Sequence, residues 1–376
     1  MTTSPSSSPL RIGLLSPHNP YDRRAFSGTV FYAAEALRQN PGVELKIIGG
    51  HRPPTHLDQM LRKPTATLTS VDAKDVNGVD AVIGMVASQL IDPIQNQIHV
   101  PYVHVTDATP SFLRECYGWN IPQDIETRET RVAQAASAVV YSSSEMVVRA
   151  RADLDIEAQS IPFGVNLDSE KLPVIPAKKP SLNRVNLLFV GNDWARKRGD
   201  IAVETLNALL ALGVNAKLTV VGRLPEAHKS HDAITVTGYL NKNRRAHAAK
   251  LARLYTQSHL LLLPSRADCT PMVAAEAMAY GTPVLASDTG GIATLLGGPG
   301  TGRILPLSAD ATDWARSVCA ITADRAAYEM LSDACFDRAH NLLNWSAWSK
   351  DILTLLDSLN VGRKDEQRRR LEPVAA

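Results

Sequence analysis

The chain repeats one local pattern, in which a short apolar segment is followed by a stretch with helical spacing. The segment RIGLLSP (11–17) predicts a buried strand, and Thr29–Gln39 has apolar residues on one helical face. Further strands are predicted at 43–50, 80–87, 102–107 and 137–143, with a helix around Ile125–Ala136. Strands that alternate with helices favour a parallel sheet joined by crossover connections. The first part of the chain is therefore predicted to be α/β.

The same alternation starts again after the Pro- and Lys-rich stretch 166–183, which lacks periodicity and is predicted to be a linker. The chain of 376 residues is too long for one compact core, so a second domain is expected. Its strands are predicted at 185–191, 216–222, 234–240, 259–265 and 283–288, and its helices at Asp200–Leu212, Arg244–Thr256 and 313–359. The sequence thus predicts two Rossmann-like lobes with a cleft between them.

Composition excludes several classes of protein. Hydrophobic residues make up 44% and charged residues 21%, with a net charge of +2, so neither a strongly basic nucleic-acid binder nor a disordered chain is indicated. No apolar run is long enough to predict a transmembrane helix, and the first residues do not resemble a secretory signal. We expect a cytoplasmic protein, because no paired spacing that would suggest disulfides or a zinc site occurs among Cys116, Cys269, Cys319 and Cys335.

Ligands of open α/β sheets bind beyond the carboxyl ends of the strands, so the residues of a binding site are expected in the loops there. GxGxxG and Walker A patterns are missing, and GGPGTG (297–302) is predicted to be a turn before a strand, which disfavours NAD and P-loop chemistry. The strongest signal is RADCTPMVAAEAMAYGTPV (266–284). Pro271 suits the first turn of a helix of about ten residues and Gly281 its end, so the helix N-terminus would face the cleft and favour a phosphate.

Two carboxylates flank that helix start. Asp268 precedes it and Glu276 lies eight residues later, where both could accept hydrogen bonds from sugar or ribose hydroxyls. The alternative is that Asp268 only caps the helix and Glu276 is a surface residue. Spacing alone leaves both interpretations open.

Asp268-x7-Glu276, followed by AMAYGTPV, resembles the Glu-x7-Glu motif of the family 4 retaining glycosyltransferases, which have the two-lobed GT-B fold. Six further segments resemble landmarks of that family in the same order: ASAVVYSSSEM (136–146), IPFGVNLD (161–168), FVGNDWARKRGD (189–200), ITVTGYL (234–240), SDTGGI (287–292) and NWSAWSKDIL (344–353). The resemblance implies an α/β GT-B protein built from two Rossmann-like domains. We divide it into a disordered lead (1–9), an acceptor domain (10–165), the linker (166–183), a donor domain (184–340), a terminal helix crossing back to the first domain (341–361) and a flexible tail (362–376).

The resemblance also implies the donor contacts. Glu276 would bind the ribose, Asp268 the transferred sugar, and Lys197 the diphosphate. The family usually has a second cation directly after Gly191, where this chain has Asn192, so Arg196 or Arg198 is expected to supply that charge. Further expected donor contacts are Arg223, Gly238, Tyr239, Leu240, Thr270, Pro271, Met272 and Val273. Pro271 lacks an amide hydrogen, which makes Met272 and Val273 the better amide donors.

In the first domain the resemblance points to a phosphate or acceptor loop and to two acidic residues. Asp107 is expected to bind the reacting sugar or the acceptor, and Glu145 is a secondary acceptor candidate. Many members have a functional His where this chain has Thr106, and we interpret the nearby His104 as a core or supporting residue. The loop residues are Ser27, Gly28 and Thr29. Asp153 and Asp155 form an isolated DxD away from the cleft, and we discount them as a metal motif.

These expectations describe a retaining enzyme that transfers a sugar from a nucleoside-diphosphate-sugar to a hydroxyl of a glycan, glycolipid or small molecule. The resemblance implies no cofactor and no metal, and the sequence indicates neither a nucleic-acid nor a membrane partner. Two alternatives stay open. One is a sugar phosphorylase or a sugar-nucleotide epimerase on the same fold. The other is a non-catalytic sugar-nucleotide-binding subunit, favoured by departures from the family pattern at Asn192, Asp268, Thr106 and Thr294.

Overall fold

The computed structural model describes residues 8–55, 67–228 and 230–361. The predicted flexible tail and most of the predicted disordered lead lie outside these residues. Within them, two six-stranded sheets form, and the strand pairs in both are parallel. We call the sheet with residues 10–160 and its helices the first lobe, and the sheet with residues 185–305 and its helices the second lobe.

Strands and helices alternate along both lobes, as the apolar pattern predicts. The strands are β1 (Leu10–Leu15), β2 (Val43–Ile47), β3 (Ala81–Met85), β4 (Tyr102–Thr106), β5 (Ala138–Tyr141), β6 (Gln159–Ser160), β7 (Val185–Gly191), β8 (Ala216–Gly222), β9 (Ile234–Gly238), β10 (Leu260–Leu263), β11 (Val284–Ser287) and β12 (Gly302–Leu305). The helices are α1 (Thr29–Arg38), α2 (Ser88–Ile91), α3 (Pro110–Tyr117), α4 (Gln123–Ala135), α5 (Ser144–Leu154), α6 (Gly199–Ala211), α7 (Arg245–Gln257), α8 (Met272–Met278), α9 (Ile292–Leu296), α10 (Ala311–Thr322), α11 (Arg325–Asn341) and α12 (Trp345–Ser358).

Strand order fixes where each lobe can bind a ligand. The first sheet runs β2-β1-β3-β4-β5-β6 and the second β12-β11-β10-β7-β8-β9, so the direction of winding changes beside β1 and beside β7. The central strands β3, β4 and β10 are buried along their whole length, because helices cover both faces of a parallel sheet. Crevices form at the carboxyl ends of such strands, next to the change of direction. In the second lobe this point lies beyond β7 and β10.

The chain returns to the first lobe at its end. Trp345 and Trp348 on α12 pack in the same apolar cluster as Val30 on α1. Gly164 lies so close to this crossing that a Cβ there would be 2.3 Å from the Trp345 backbone nitrogen. Asn166, fully buried, accepts a hydrogen bond from Trp345 Nε1 at 3.0 Å. The described residues contain no helix long and apolar enough to span a membrane.

The helix after β10 differs from its prediction. The helix after β10 contains seven residues, Met272–Met278, rather than about ten. Pro271 precedes the first turn instead of lying in it, because its ψ of 86° is not helical. At the other end, the chain leaves the helix before Gly281, whose φ of +64° is left-handed. Helices α2, α3, α5 and α9 were not predicted, and the helical region predicted at 313–359 consists of three helices, α10, α11 and α12.

Candidate active site

A cavity of about 380 Å³, a volume suited to a small ligand, lies between the lobes at the carboxyl ends of the second sheet's strands. Both lobes contribute to its walls: Arg23, Arg24 and Ser27 come from the first lobe, and the other lining residues come from the second. Eleven of the residues expected from the sequence line it: Ser27, Arg196, Lys197, Tyr239, Leu240, Asp268, Thr270, Pro271, Met272, Val273 and Glu276.

Asp268 and Lys197 form a buried ion pair in the wall of this cavity. The Lys197 ammonium donates to Asp268 Oδ2, and the Ser265 hydroxyl donates to the same oxygen at 3.2 Å. Asp268 and Lys197 are each 7% exposed. The backbone of Asp268 is held against Gly290, where a Cβ would lie 2.0 Å from the Asp268 carbonyl oxygen. This close approach, together with a φ of +52°, requires glycine at position 290.

Glu276 also forms an ion pair with a lysine, as Asp268 does. It lies inside α8 and is 2% exposed. The Tyr255 hydroxyl donates to Oε2 at 2.9 Å and the Lys242 ammonium donates to Oε1 at 2.8 Å. Burial and the charge of Glu276 raise the pKa of Tyr255 well above its usual value, so the phenol stays a hydrogen-bond donor. The interpretation of Glu276 as a surface residue is therefore wrong.

Lys242 is a charged cavity residue that the sequence prediction missed, as are Arg23 and Arg24. It is the second residue after the predicted nucleobase loop ITVTGYL, so a basic residue at this place was the available signal. Besides Glu276, its ammonium approaches two carbonyl oxygens, that of Asn166 at 3.3 Å and that of Ser27 at 3.4 Å. One side chain thus contacts the second lobe, the linker and the first lobe.

The two arginines expected to carry the second charge have other contacts. Arg198 Nη1 donates to the Leu307 carbonyl oxygen at 3.0 Å, and Arg198 is not among the described residues that line the cavity. Arg196 does line it, but Nη1 donates to the Ala267 carbonyl oxygen at 2.7 Å and lies 3.7 Å from Asp268 Oδ2. Its guanidinium also lies over the ring of Tyr117, 5.1 Å from the centroid.

The other donor candidates divide into two groups. Tyr239 and Leu240 line the cavity, whereas Gly238 ends β9 with a φ of +71° and Arg223 is exposed after β8. The start of α8 is braced by the first lobe, because Thr270 Oγ1 lies 2.6 Å from Ser142 Oγ. Ala274 donates the first intrahelical hydrogen bond, to the Pro271 carbonyl oxygen, so the amides of Met272 and Val273 precede the hydrogen-bonded turn.

In the first lobe the phosphate-loop prediction falls on a strained turn. Phe26, Ser27 and Gly28 all have positive φ, at 47°, 58° and 95°. Ser27 lines the cavity, whereas Gly28 and Thr29 lie behind it, with Thr29 Oγ1 accepting a hydrogen bond from Asn166 Nδ2 at 3.0 Å. This turn brings the Ser27 carbonyl oxygen to the Lys242 ammonium.

Asp107 follows β4 and is half-buried. Burial raises its pKa to about 6, and the charge of nearby Asp268 acts in the same direction. Asp107 is not among the described residues that line the cavity, but its coupling to Asp268 and its titration near pH 6 make it a candidate for proton transfer or acceptor binding. Glu145 does not line the cavity; its Oε1 accepts a hydrogen bond from Arg149 Nε at 3.2 Å, and its side chain is 47% exposed.

His104 is a core residue, as the sequence analysis favoured. It is fully buried, with Nδ1 2.7 Å from the Tyr102 hydroxyl and Nε2 2.8 Å from Glu129 Oε1. In the DxD pattern, Asp153 accepts from Ser111 and Asp155 caps the end of α5. Among residues 8–55, 67–228 and 230–361, three or more His, Cys, Asp or Glu side chains never come together in a group that could hold a metal ion.

Comparison with known proteins agrees with this geometry. Residues 184–324 match the family described as Glycosyl transferases group 1. Over 227 residues the chain is 30% identical to a D-inositol 3-phosphate glycosyltransferase of Xylanimonas cellulosilytica, an alignment that covers 54% of this chain and 52% of that protein. Over 217 residues it is 28% identical to a phosphatidyl-myo-inositol mannosyltransferase of Mycolicibacterium smegmatis, covering 55% and 53% of the two chains. The chain thus spans about half the length of these curated relatives.

The fold is similar over almost the whole chain to that of a sucrose-phosphate synthase from Thermosynechococcus elongatus. The TM-score is 0.66 at 21% identity, and the match covers 93% of this chain and 99% of that one. The predicted GT-B architecture is confirmed by this match and by the two facing parallel sheets. Residues 184–324 therefore resemble the glycosyl transferases group 1 family, and the described chain has the GT-B fold.

Proposed function

We propose that this protein is a retaining glycosyltransferase of family 4 that moves a sugar from a nucleoside-diphosphate-sugar to a hydroxyl acceptor. The observation that carries the proposal is the shared cavity, in which Lys197, Asp268 and Glu276 surround the start of α8 at the point where the sheet winding changes direction. Carboxylates suit the hydroxyls of a sugar and a ribose, and cations suit the diphosphate between them.

In this proposal each carboxylate changes partner when the donor binds. Asp268 accepts hydrogen bonds from hydroxyls of the transferred sugar and Glu276 from the ribose. The Lys197 ammonium then interacts less with Asp268 and stabilises the negative charge that develops on the leaving diphosphate. Such stabilisation in a buried site is usually the largest single contribution to catalysis. The two ion pairs, Lys197 with Asp268 and Lys242 with Glu276, hold these side chains in place before a donor binds.

The reaction proceeds on one face of the sugar. The bond between the anomeric carbon and the phosphate oxygen breaks, the bond to the acceptor oxygen forms on the same face, and the acceptor proton passes to the leaving diphosphate. This course retains the anomeric configuration and needs no covalent intermediate with the enzyme, so a nucleophilic side chain is not required. Contact between the lobes keeps water from the reacting carbon.

The first lobe is proposed to bind the acceptor. Asp107 lies within electrostatic reach of Asp268, near the proposed sugar end of the donor, and Ser27 lines the same cavity beside Lys242. The names of the two curated relatives contain inositol, which makes myo-inositol and its 3-phosphate the first acceptors to test. Glu145, which pairs with Arg149 outside the cavity, is a less favourable acceptor contact than Asp107.

The experiment is a titration of the full chain with UDP, GDP, ADP and dTDP, followed by turnover of the matching sugar nucleotides in the presence and absence of a chelator. We expect one diphosphate to bind at micromolar to millimolar concentration, and its sugar donor to be consumed slowly even without an acceptor. Activity that survives the chelator supports a metal-independent reaction. Binding of no diphosphate, or binding with no consumption of any donor, would refute the proposal.

A further inference from the structure

The proposed function requires two cations near the diphosphate, and of the two expected positions this chain has a cation only at Lys197. Lys197 is present, but Asn192 stands where the second cation is usual. Arg198 donates to the Leu307 carbonyl oxygen, and Arg196 donates to the Ala267 carbonyl oxygen. The other basic residues among the described residues that line the cavity are Arg23, Arg24 and Lys242. Arg23 pairs with Asp168 and Arg24 with Asp22, both outside the Asp268-x7-Glu276 motif, whereas Lys242 pairs with Glu276.

Lys242 has the position and the surroundings for this role. Its side chain lines the cavity and is 21% exposed, so most of it is removed from solvent. Its ammonium donates to Glu276 Oε1 at 2.8 Å, just as the ammonium of Lys197 donates to Asp268 Oδ2. The cavity thus contains two lysine–carboxylate pairs of the same kind, one on each acidic residue of the Asp268-x7-Glu276 motif.

The order of ribose, diphosphate and sugar in the donor determines which lysine–carboxylate pair lies near each group. A nucleoside-diphosphate-sugar has its ribose at one end of the diphosphate and its sugar at the other. With the ribose on Glu276 and the sugar on Asp268, the diphosphate must run from one lysine–carboxylate pair to the other. Lys197 then stands at the sugar end and Lys242 at the ribose end.

We propose that Lys242 is the second diphosphate-binding cation of this protein, with its ammonium on the phosphate next to the ribose. This inference rests on the proposed function. When ribose hydroxyls donate to Glu276, they replace the lysine as its partner, and the ammonium turns to a phosphate oxygen. A charge-assisted hydrogen bond of this kind is about twice as strong as a neutral one. Lys242 forms no covalent bond in the reaction.

The same residue links donor binding to the position of the first lobe. Its ammonium lies 3.4 Å from the Ser27 carbonyl oxygen and 3.3 Å from that of Asn166. Asn243, the next residue, donates from Nδ2 to Asp22 Oδ1 at 3.5 Å. A phosphate that engages Lys242 is therefore placed beside the first-lobe turn at Ser27.

Calorimetric titration tests this assignment with three probes that share one base: the nucleoside, the monophosphate and the diphosphate. The variants are Lys242→Met, Lys242→Arg and the control Lys217→Met, whose lysine is exposed at the amino end of β8, away from the cavity. For Lys242→Met we expect the diphosphate to bind at least about tenfold more weakly, the monophosphate less tightly by a similar factor, and the nucleoside within about twofold of the wild type. Lys242→Arg should keep most of the affinity, and Lys217→Met should match the wild type.

Other outcomes overturn the proposal. Equal losses for the nucleoside and the diphosphate would mean that Lys242 only positions Glu276, and no loss would mean that it is not a ligand at all. If Lys242→Met does not fold, as judged by thermal unfolding, Lys242→Gln gives the same comparison with a polar side chain. Failure of the wild type to bind any diphosphate would instead refute the proposed function, so the two failures are distinguishable.

Discussion

The two lobes share one architecture but provide the cavity with different chemistry. Each has six parallel strands, yet the second lobe lines the cavity with two buried carboxylates, each bound by a lysine, whereas the first contributes the strained turn at Ser27 and, nearby, the half-buried Asp107. The match to the glycosyl transferases group 1 family covers only the second half. In the proposed function, donor recognition would depend on charged side chains at fixed spacing, and acceptor recognition on loop conformation.

The largest expected effect is a loss of turnover on the donor side of the cavity, caused by a change at Lys197. In Lys197→Ala, the leaving diphosphate loses its proposed cation, so turnover should fall by about 10² to 10⁴. Steady-state turnover of the sugar donor measures this. Arg198→Ala is the matched control, because that guanidinium donates to the Leu307 carbonyl oxygen, and it should stay within about threefold of the wild type. Equal activity in Lys197→Ala and the wild type would remove Lys197 from the mechanism.

A second prediction concerns the loop that supports Asp268. In Gly290→Ala the new Cβ would meet the Asp268 carbonyl oxygen at 2.0 Å, so the backbone must shift, at an expected cost of about 3 kcal/mol in unfolding free energy. Gly78→Ala is the control, since Gly78 also has a positive φ, of +77°, but open space around its Cβ position. That change should cost only about 1 kcal/mol. Urea denaturation of the two variants checks the difference; equal losses would show that the contact with Asp268 is unimportant.

Donor affinity should respond more modestly at Glu276. Glu276→Gln keeps the shape of the side chain but removes the charge that Lys242 and Tyr255 contact, so the nucleoside diphosphate should bind about tenfold more weakly. Glu145→Gln, which alters a carboxylate outside the cavity, should bind as the wild type does. The two affinities are compared by calorimetry. A normal affinity in Glu276→Gln would contradict the ribose contact.

The smallest effect is expected in the first lobe, from Asp107. Its folded-state pKa is raised to about 6 from an ordinary value of 3.8, so the folded state binds more protons than the unfolded state between these pH values. Stability therefore falls as pH rises from about 4 to 6. Asp107→Asn should be more stable than the wild type at pH 7.5, by about 1 kcal/mol for this half-buried group, and equal to it below pH 4.

Thermal unfolding at pH 7.5 and at pH 3.5 tests this prediction, and a variant that is less stable at pH 7.5 would reverse the assigned direction. If Asp107 also acts as a carboxylate in catalysis, turnover of the wild type rises through pH 6, and Asp107→Asn lacks that inflection. A retained inflection near pH 6 would assign it to another group.

Most of the fold was predictable because the strands are short apolar runs that a parallel sheet buries on both faces. The segments LLLL of β10 and AVIGM of β3 are fully buried, as their uninterrupted apolar sequences predict. The residues that follow these strands were predictable as a site for the same reason, since parallel strands end at one edge. Lys197, Asp268 and Glu276 do share one cavity there.

Side-chain direction in loops was not predictable. Arg198 has a φ of +51°, and its guanidinium reaches Leu307, which no local pattern indicates. Lys242 lies in a loop whose position depends on contacts with Ser27 and Asn166, residues far away in the sequence. Such orientations come from tertiary contacts that are absent from the local sequence.

The most direct test of the account is a crystal structure of the full chain with the nucleoside diphosphate that binds it best. We predict the ribose on Glu276, the phosphate next to it on Lys242 and the terminal phosphate on Lys197. A diphosphate bound outside the cavity between the lobes, or a cavity that stays empty at saturating ligand, would contradict the account.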